Sequence, residues 1–311
     1  QVGGNGHLML GGCDAVDLAS EFGTPLYVYD EDTLRNRCRA FTEGFQSRYA
    51  ETTVVYAGKA YINPVLAQIF SEEGVGLDVV SGGELAVAQS VDFPSSGVYF
   101  HGNNKSRAEL EQALSWNIGR VVVDNFYELD LLEEIAADMK RTQAVLLRIS
   151  PGIDPHTHVK TTTGILDSKF GFPVETGDAV RAVKQAIKAP HIKVMGIHFH
   201  LGSPIFDLDP YRAAMELALA FASDLRKDGL NLEEVSPGGG FAIAYTQEQH
   251  PPTVADYAEA IVSSLTNGCK NNGLEFPRLI IEPGRAITGP SGVALYSVGS
   301  IKDIPGVRNY V

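Results

Sequence analysis

The sequence predicts an α/β fold: a (β/α)8 TIM barrel joined to the beginning of a second, all-β domain of the β-barrel or sandwich type. Short apolar runs alternate eight times with segments of helical period between residues 53 and 281. Such alternation is typical of parallel strands joined by right-handed crossovers. Polar residues follow most of these runs, as they do at the carboxyl end of a barrel. After Arg285 the strand-like runs continue without helices between them.

The segment before the barrel mixes strand and helix signals. We expect a short strand at residues 8–10, a helix at 16–22 and a strand at 26–29, which a Gly-Thr-Pro turn precedes. A helix over residues 32–48 then leads into the barrel.

Eight apolar runs, bounded by glycine, proline or polar residues, are the predicted barrel strands. Runs of this length and composition are typical of strands buried on both faces, and they lie at residues 53–56, 76–80, 98–100, 120–123, 144–149, 192–199, 234–236 and 278–281. A long polar loop separates the fifth strand from its helix. The intervening helices are predicted at residues 64–73, 83–90, 106–116, 126–139, 177–188, 210–227 and 254–269.

These patterns divide the chain into three regions. Residues 1–30 are predicted to belong partly to the β-domain, and residues 31–285 to form the barrel. Residues 286–311 would begin the β-domain, and we expect its remainder to be absent from this sequence.

The composition excludes several classes of function. A hydrophobic content of 44% allows a sizeable core, whereas a net charge of −13 argues against binding to nucleic acid or to an anionic membrane surface. No apolar stretch reaches the roughly 18 residues that span a bilayer, and the first residues do not resemble a signal peptide. Three cysteines without C-x-x-C spacing, Cys13, Cys38 and Cys269, indicate a reducing compartment, so we expect a cytoplasmic location.

The most informative stretch is Glu282-Pro283-Gly284-Arg285, at the end of the last predicted strand. A carboxylate at this position can keep the basic ring nitrogen of a ligand protonated. A protonated pyridine is a strong electron sink, which carbanion chemistry at an amino-acid α-carbon requires. The alternative is a glutamate that merely pairs with Arg285 at the rim.

Lys59 follows the first predicted strand, within Tyr-Ala-Gly-Lys-Ala. A lysine held near a barrel mouth can be desolvated, which lowers its pKa and makes the amine nucleophilic toward an aldehyde. The alternative is an ordinary solvated lysine.

Glycines at residues 238–240 follow the seventh strand, next to Gly284 after the eighth. Glycines let backbone N–H groups approach a phosphate, and barrels often place phosphates at these two strands. The alternative is a flexible turn.

His198 and His200 are two residues apart on a predicted strand, so they point to the same face. Two histidines without a nearby carboxylate make a poor zinc site, and we predict no metal. One imidazole could stack on a flat cofactor, and we expect His198 to be the buried, structural one. An amine, a phosphate cradle, a stacking imidazole and a carboxylate for a ring nitrogen together favour pyridoxal 5′-phosphate as the cofactor.

At these residues the chain resembles the fold-type III pyridoxal-phosphate enzymes, and within them the diaminopimelate decarboxylase family. The resemblance runs in order through nearly the whole chain. The matching stretches are GTPLYVY at 23–29, YAGKA at 56–60, DVVSGGEL at 78–85, HGNNK at 101–105, PGIDPHTH at 151–158, SKFG at 168–171, GIHFHLGS at 196–203, GGG at 238–240 and EPGR at 282–285.

The resemblance implies roles for individual residues. Lys59 would carry the cofactor covalently, His200 would stack on its ring and Glu282 would pair with its ring nitrogen, so that these three are the catalytic candidates. The implied phosphate contacts are Ser203, Gly239, Gly240, Gly284 and Arg285. Arg285 would also bind the substrate carboxylate, and the residues in or around the ring contacts would be Asp78, His101 and Arg148.

The resemblance also implies the reaction, which is decarboxylation of meso-2,6-diaminopimelate to L-lysine. Alanine racemases share the fold but are expected to carry an arginine opposite the ring nitrogen, so Glu282 favours decarboxylation. The alternatives are decarboxylation of another basic amino acid (ornithine, arginine or carboxynorspermidine) and a pyridoxal-phosphate-binding module that is inactive alone. A homodimer is implied, with a cysteine-containing loop and a cofactor-contacting tyrosine beyond Val311.

Overall fold

The computed structural model describes residues 1–154 and 168–311. Within these residues it contains fifteen β-strands, most of them short. In chain order they are β1 (Met9–Leu10), β2 (Cys13–Asp14), β3 (Leu26–Tyr29), β4 (Thr52–Ala57), β5 (Gly76–Val79), β6 (Val98–Phe100), β7 (Arg120–Val123), β8 (Gln143–Ser150), β9 (Phe172–Pro173), β10 (Ile192–His198), β11 (Glu234–Gly238), β12 (Arg278–Ile281), β13 (Gly292–Leu295), β14 (Lys302–Ile304) and β15 (Arg308–Tyr310).

Ten α-helices lie in the same described ranges, together with 3₁₀ turns at Gly58–Ala60, Ser95–Gly97 and Arg226–Asp228. The α-helices are α1 (Ala15–Phe22), α2 (Glu31–Gln46), α3 (Pro64–Glu72), α4 (Gly82–Ser90), α5 (Arg107–Ser115), α6 (Phe126–Asp138), α7 (Asp178–Lys188), α8 (Asp209–Asp224), α9 (Val254–Asn272) and α10 (Arg285–Thr288). None of these helices is long and apolar enough to cross a bilayer.

Most of the described α-helices begin at residues whose side chains accept backbone hydrogen bonds, whereas α7, α8 and α10 do not. In α5 and α9 the bonds are reciprocal and form capping boxes, because the third helical residue also accepts from the cap. Such caps satisfy N–H groups that have no partner inside the helix. The capping residues of α2, α3, α4, α5, α6 and α9 are Asp30, Asn63, Ser81, Ser106, Asn125 and Thr253.

Eight of the described strands close into the predicted parallel barrel. Neighbouring strands follow the order β4, β5, β6, β7, β8, β10, β11 and β12, and β12 pairs with β4 to complete the ring. The closing pair sets Leu279 opposite Thr52 and Ile281 opposite Val54. Because all of these strands run in the same direction, their carboxyl ends meet at one rim.

The barrel is filled by its own side chains. A separate apolar cluster occupies its interior, below the rim, and consists of Val55, Tyr99, Val122, Leu146, Met195 and Ile280. A larger cluster packs the outer faces of the strands against the helices. At the amino ends of β7 and β11, Arg120 reaches Glu234 across the barrel floor at 2.6 Å (Nη2 to Oε1). Packing and this ion pair fill the interior of the barrel below its carboxyl rim.

The strands predicted outside the barrel form small antiparallel sheets. β3 pairs with β13, with Tyr29 opposite Gly292, and hairpins join β1 to β2 and β14 to β15. Residues 285–288 form the short helix α10, which was not predicted, and the described strands after it, β13 to β15, have no helix between them, as predicted. The helix predicted at residues 210–227 ends at Asp224 and gives way to a 3₁₀ turn.

Candidate active site

Two adjoining cavities open at the rim where the barrel strands end. Their volumes are about 660 Å³ and about 470 Å³. Four predicted site residues line both cavities: Lys59, His200, Ser203 and Glu282. The larger cavity adds Asp78, Gly239, Gly240, Gly284 and Arg285, and the smaller adds His101 and Arg148.

Glu282 lies buried directly after β12, where two side chains bind its carboxylate. His198 Nε2 lies 3.1 Å from Oε2, and the Ser236 hydroxyl donates to Oε1 at 2.8 Å. His101 Nε2 lies 3.5 Å from the same Oε1. Glu282 is therefore held inside the barrel mouth, and the alternative of a rim glutamate paired with Arg285 is not what the structure shows.

These contacts keep Glu282 ionised. Burial by itself raises the pKa of a carboxyl group, but the neighbouring imidazoles of His198 and His101 outweigh it, together with the hydrogen bonds from His198 and Ser236. The pKa of Glu282 is consequently lowered well below its usual value. The site therefore presents a buried negative charge at the mouth of the barrel.

His198 has a closer relation to the site than sequence reasoning assigned to it. It is buried, as predicted, but its ring contacts Glu282 and packs edge-on against His101, with ring centroids 5.0 Å apart. The expectation that no carboxylate lies near the histidines is also wrong, because ligand atoms of His101, His198 and Glu282 lie within 4.8 Å of one another. In this arrangement the imidazoles serve the charge state of Glu282.

His200 follows β10 at the edge of both cavities, half-buried. Its Nδ1 accepts a hydrogen bond from the Gly239 N–H at 3.3 Å, which fixes the ring beside the glycine turn. Burial, and next the positive charges of Lys59 and Arg148, lower its pKa well below the usual value. A neutral, fixed imidazole of this kind can stack on a flat ring, and the stacking role of His200 stays a prediction.

Lys59 lies in the 3₁₀ turn Gly58–Ala60, directly after β4. Its side chain lines both cavities but is exposed. The predicted position at the barrel mouth is found, whereas the predicted desolvation of the amine is not.

The glycine turn after β11 is packed tightly and is not a flexible loop. A Cβ added to Gly239 would lie 2.1 Å from the Glu282 carbonyl oxygen, and one added to Gly240 would lie 2.5 Å from the Gly202 carbonyl oxygen. The Tyr211 hydroxyl donates to the Gly239 carbonyl at 2.7 Å and holds the turn in place. Glycine is therefore required by the packing, and it leaves the backbone exposed to the larger cavity.

Arg285 begins α10 and points along the rim of the larger cavity. Its Nη1 donates to the Tyr245 hydroxyl at 2.7 Å. A Cβ on the preceding Gly284 would lie 3.1 Å from the Cβ atoms of Ala57 and Ala60, so the last strand's turn packs closely on the turn that carries Lys59. The guanidinium is thus available to an anionic group in the cavity.

Three buried side-chain atoms at the rim lack a hydrogen-bond partner among the described residues: Asp78 Oδ1, His101 Nε2 and His198 Nδ1. Burial raises the pKa of Asp78 to about 8. The positive charge of Lys59 acts against this rise, and the negative charge of Glu282 adds to it. Unpaired buried polar atoms are rare in folded proteins unless a ligand uses them. Together with the ionised Glu282 and the glycine cradle, they fit a polar, aromatic, phosphorylated cofactor such as pyridoxal 5′-phosphate.

Arg148 enters the smaller cavity from β8. It is buried, its Nη1 lies 3.4 Å from Asp124 Oδ1, and its guanidinium lies 4.4 Å above the Phe170 ring. Burial lowers its pKa from the usual value.

The part of the matching stretch PGIDPHTH at residues 155–158 lies outside the described residues.

Sequence reasoning missed the groups that act on predicted site residues. Ser236, which binds Glu282, lies at the end of a predicted strand but is not among the predicted site residues. Asp124, which lies next to Arg148, is not among them either. The sequence carries a weak signal for Ser236, since a hydroxyl within a buried barrel strand needs a partner.

Comparison with known proteins gives a consistent result. Residues 31–289 match the family model described as pyridoxal-dependent decarboxylase, pyridoxal binding domain. The diaminopimelate decarboxylase of Bacillus subtilis (strain 168) is 44% identical over 308 residues, which cover 99% of this chain and 70% of that protein. The corresponding protein of Bacillus methanolicus is 43% identical, with coverage of 100% and 72%.

Solved structures agree. Diaminopimelate decarboxylase from M. jannaschii aligns with a TM-score of 0.88 at 37% identity, covering 94% of this chain and 68% of that one. The enzyme from Helicobacter pylori, complexed with L-lysine, aligns with a TM-score of 0.85 at 30% identity, covering 93% and 71%. The chain described here belongs to the diaminopimelate decarboxylase family of pyridoxal-dependent decarboxylases.

Proposed function

We propose that this chain is a carboxy-lyase that uses pyridoxal 5′-phosphate to decarboxylate meso-2,6-diaminopimelate to L-lysine and CO₂, the last step of lysine biosynthesis. The observation that carries the proposal is the buried, ionised Glu282 at the tip of the last barrel strand, bound by His198 and Ser236. A carboxylate in this state suits a protonated pyridine nitrogen, and few other ligands would require it there.

When bound, the cofactor supplies an electron sink for the pair of electrons that the departing carboxylate leaves at the substrate α-carbon. Glu282 holds a proton at the ring nitrogen, and His198 and Ser236 keep that carboxylate in its charged form. His200 would cover one face of the ring and exclude water from it. Lys59 would provide the amine that holds the cofactor.

The remaining predicted residues would hold the two ends of the cofactor. Gly239, Gly240, Ser203, Gly284 and Arg285 line the larger cavity, and there they would bind the phosphate. Asp78, His101 and Arg148 surround the ring end. The buried atoms without partners, Asp78 Oδ1 and His101 Nε2, support this assignment.

Arg285 would also bind a carboxylate of the substrate. Its guanidinium is held at the cavity rim by the hydroxyl of Tyr245 and lies 5.7 Å from the centre of that ring. A planar guanidinium matches carboxylate geometry. The diamino-dicarboxylate substrate has two carboxylates, so this contact leaves one of them free to depart.

We also propose that the chain functions as a homodimer in the cytoplasm, with the barrel at residues 31–285 and a β-domain to which residues 1–30 belong in part and which begins with residues 286–311. Tyr27, at the edge of the larger cavity, is 68% exposed and leaves that edge open to a partner subunit. The pairing of β3 with β13 supports the domain division. The free thiols of Cys13, Cys38 and Cys269 support a reducing compartment.

The first experiment is an absorbance spectrum of the purified chain with added pyridoxal 5′-phosphate. We expect the band of a lysine-bound cofactor in the parent and its loss in Lys59→Ala. Lys227→Ala, in the 3₁₀ turn Arg226–Asp228 away from the rim, is the matched control and should keep the band. A band that survives in Lys59→Ala would refute the assignment of the lysine.

The second measurement is release of CO₂ from diaminopimelate, ornithine and arginine. Ornithine is a serious competitor, because a lysine/ornithine decarboxylase from Vibrio vulnificus, complexed with putrescine, aligns with a TM-score of 0.77 at 25% identity. We expect turnover of diaminopimelate alone. Cofactor binding without turnover of any of the three would favour a binding module that is inactive alone.

A further inference from the structure

A buried ion pair lies behind the rim and lines neither cavity. Lys105 Nζ and Glu128 Oε1 are 2.7 Å apart, and each side chain is only 1% exposed. We propose that Lys105 and Glu128 are positioning residues, which set the places of His101 and Arg148 around the cofactor ring. This inference rests on the proposed function, because it concerns how the ring end of that site is held.

Lys105 fixes the loop that carries His101. Its ammonium group donates three hydrogen bonds, to Glu128, to the Gly102 carbonyl at 2.8 Å and to the Val122 carbonyl at 2.8 Å. Gly102 is next to His101 and has a φ of +108°, a conformation that only glycine adopts without strain. The lysine therefore ties the loop after β6 to the end of β7, with no ammonium hydrogen left over.

Glu128 fixes the residue that holds Arg148. Its second carboxylate oxygen accepts the Asp124 N–H at 3.1 Å, and the Asp124 carboxylate lies 3.4 Å from Arg148 Nη1. The backbone of Glu128 is itself capped by Asn125 at 2.9 Å. Displacement of Glu128 would move Asp124, and Arg148 would lose its carboxylate partner.

The ion pair of Lys105 and Glu128 is not explained by its contribution to stability. Burial raises the pKa of Glu128, and replacing a buried ion pair with apolar residues of similar volume is often neutral or stabilising. Its directional contacts, in contrast, fix two loops to one another in a way that apolar side chains cannot. We therefore attribute the ion pair to the positioning of the two loops at the rim and not to a gain in stability.

Glu128→Gln tests the proposal, and Glu234→Gln is the matched control. Both variants replace a buried glutamate in an ion pair by its amide, but Glu234 lies at the barrel floor, at the opposite end from the site. The measurements are the thermal midpoint without cofactor and the dissociation constant of pyridoxal 5′-phosphate by absorbance titration. We expect both substitutions to lower the thermal midpoint. Only Glu128→Gln should raise the dissociation constant of pyridoxal 5′-phosphate, by roughly tenfold or more.

A double variant, Lys105→Met with Glu128→Leu, separates position from stability. We expect its midpoint to recover toward the parent value while cofactor binding stays weak, because apolar side chains fill the space without orienting the loops. Affinity in the double variant within twofold of the parent would overturn the proposal. So would equal affinities in Glu128→Gln and Glu234→Gln. A parent chain that binds no pyridoxal 5′-phosphate would overturn the proposed function, and the positioning role with it.

Discussion

Glu282 shows how a carboxylate stays charged inside a barrel. Its partner His198 places Nε2 toward it, so the proton lies on that nitrogen and Nδ1 is left without a partner among the described residues. Burial lowers the pKa of His198, and a neutral ring can still donate. The charge therefore rests on hydrogen bonds that the fold supplies before any ligand arrives.

Glu282→Gln should lower kcat by about 100-fold or more, because the amide keeps the shape of the side chain but cannot hold a charge against the ring nitrogen. The measurement is the initial rate of CO₂ release at saturating diaminopimelate. Ser236→Ala is the control, since it removes one hydrogen bond and leaves the carboxylate, and its loss should be at least tenfold smaller. A Glu282→Gln variant that retained half of the parent rate would contradict the role.

Asp78 is expected to make the stability of the cofactor-free chain fall as pH rises. Burial raises its pKa from 3.8 to about 8, so the folded chain holds a proton that the unfolded chain has already released. The free energy of unfolding then decreases between these two values. The imidazoles of His101, His198 and His200 have lowered pKa values, so their titration makes the free energy of unfolding increase with pH, but only below their unfolded value of 6.5.

The window from pH 6.5 to 8 therefore isolates Asp78 from the three histidines. Over this range the free energy of unfolding of the parent should decrease by about 1 to 2 kcal/mol. In Asp78→Asn this decrease should be absent, because the amide has no proton to lose. Urea titrations at both pH values measure it, with Asp303→Asn on the exposed strand β14 as the control. An unchanged slope in Asp78→Asn would show that its carboxyl is ionised throughout.

Elements with strong local patterns were predictable, and those made by distant contacts were not. β6, β7 and β12 have the predicted bounds, because each is an apolar run between polar or glycine residues. β9, in contrast, exists only because Phe172 lies opposite Ile149 in β8, and no local pattern shows that pairing. The contact between His198 and Glu282, 84 residues apart, is likewise a product of barrel closure.

The turn after β11 provides a test at this scale. Gly239→Ala should destabilise the chain by about 1 to 3 kcal/mol, since its Cβ would overlap the Glu282 carbonyl oxygen and force β11 and β12 apart. Cofactor affinity should fall with it, because the same backbone lines the larger cavity.

Gly83→Ala is the matched control for that turn. It lies in α4, and its Cβ would meet only Ser81 Oγ, at 3.7 Å, so it should be neutral or slightly stabilising. Denaturant titrations of both variants give the comparison. Equal free energies of unfolding in the two variants would mean that the turn accommodates a Cβ atom and that its close packing does not contribute to stability.

At the scale of the whole molecule, the barrel and the antiparallel sheets differ in how far their residues are buried. The barrel strands are almost wholly buried, whereas β3 and β13 are mostly half-buried and β14 and β15 mostly exposed. The barrel is thus a complete core in itself. The antiparallel sheets depend on few apolar contacts within this chain.

Hydrogen exchange should reveal this order directly, because amides in elements with little buried surface open at low free-energy cost. We expect peptides from β14 and β15 to exchange first, those from β3 and β13 next, and those from β4 and β8 last. Exchange of the unfolded chain in denaturant supplies the intrinsic rates as a control. Added pyridoxal 5′-phosphate should slow exchange at the glycine turn and around Lys59 but leave β14 and β15 unchanged, because those strands line neither cavity at the rim. Protection of β14 and β15 equal to that of β4 would contradict the order and would show that the exposed hairpin is held by contacts stronger than its burial implies.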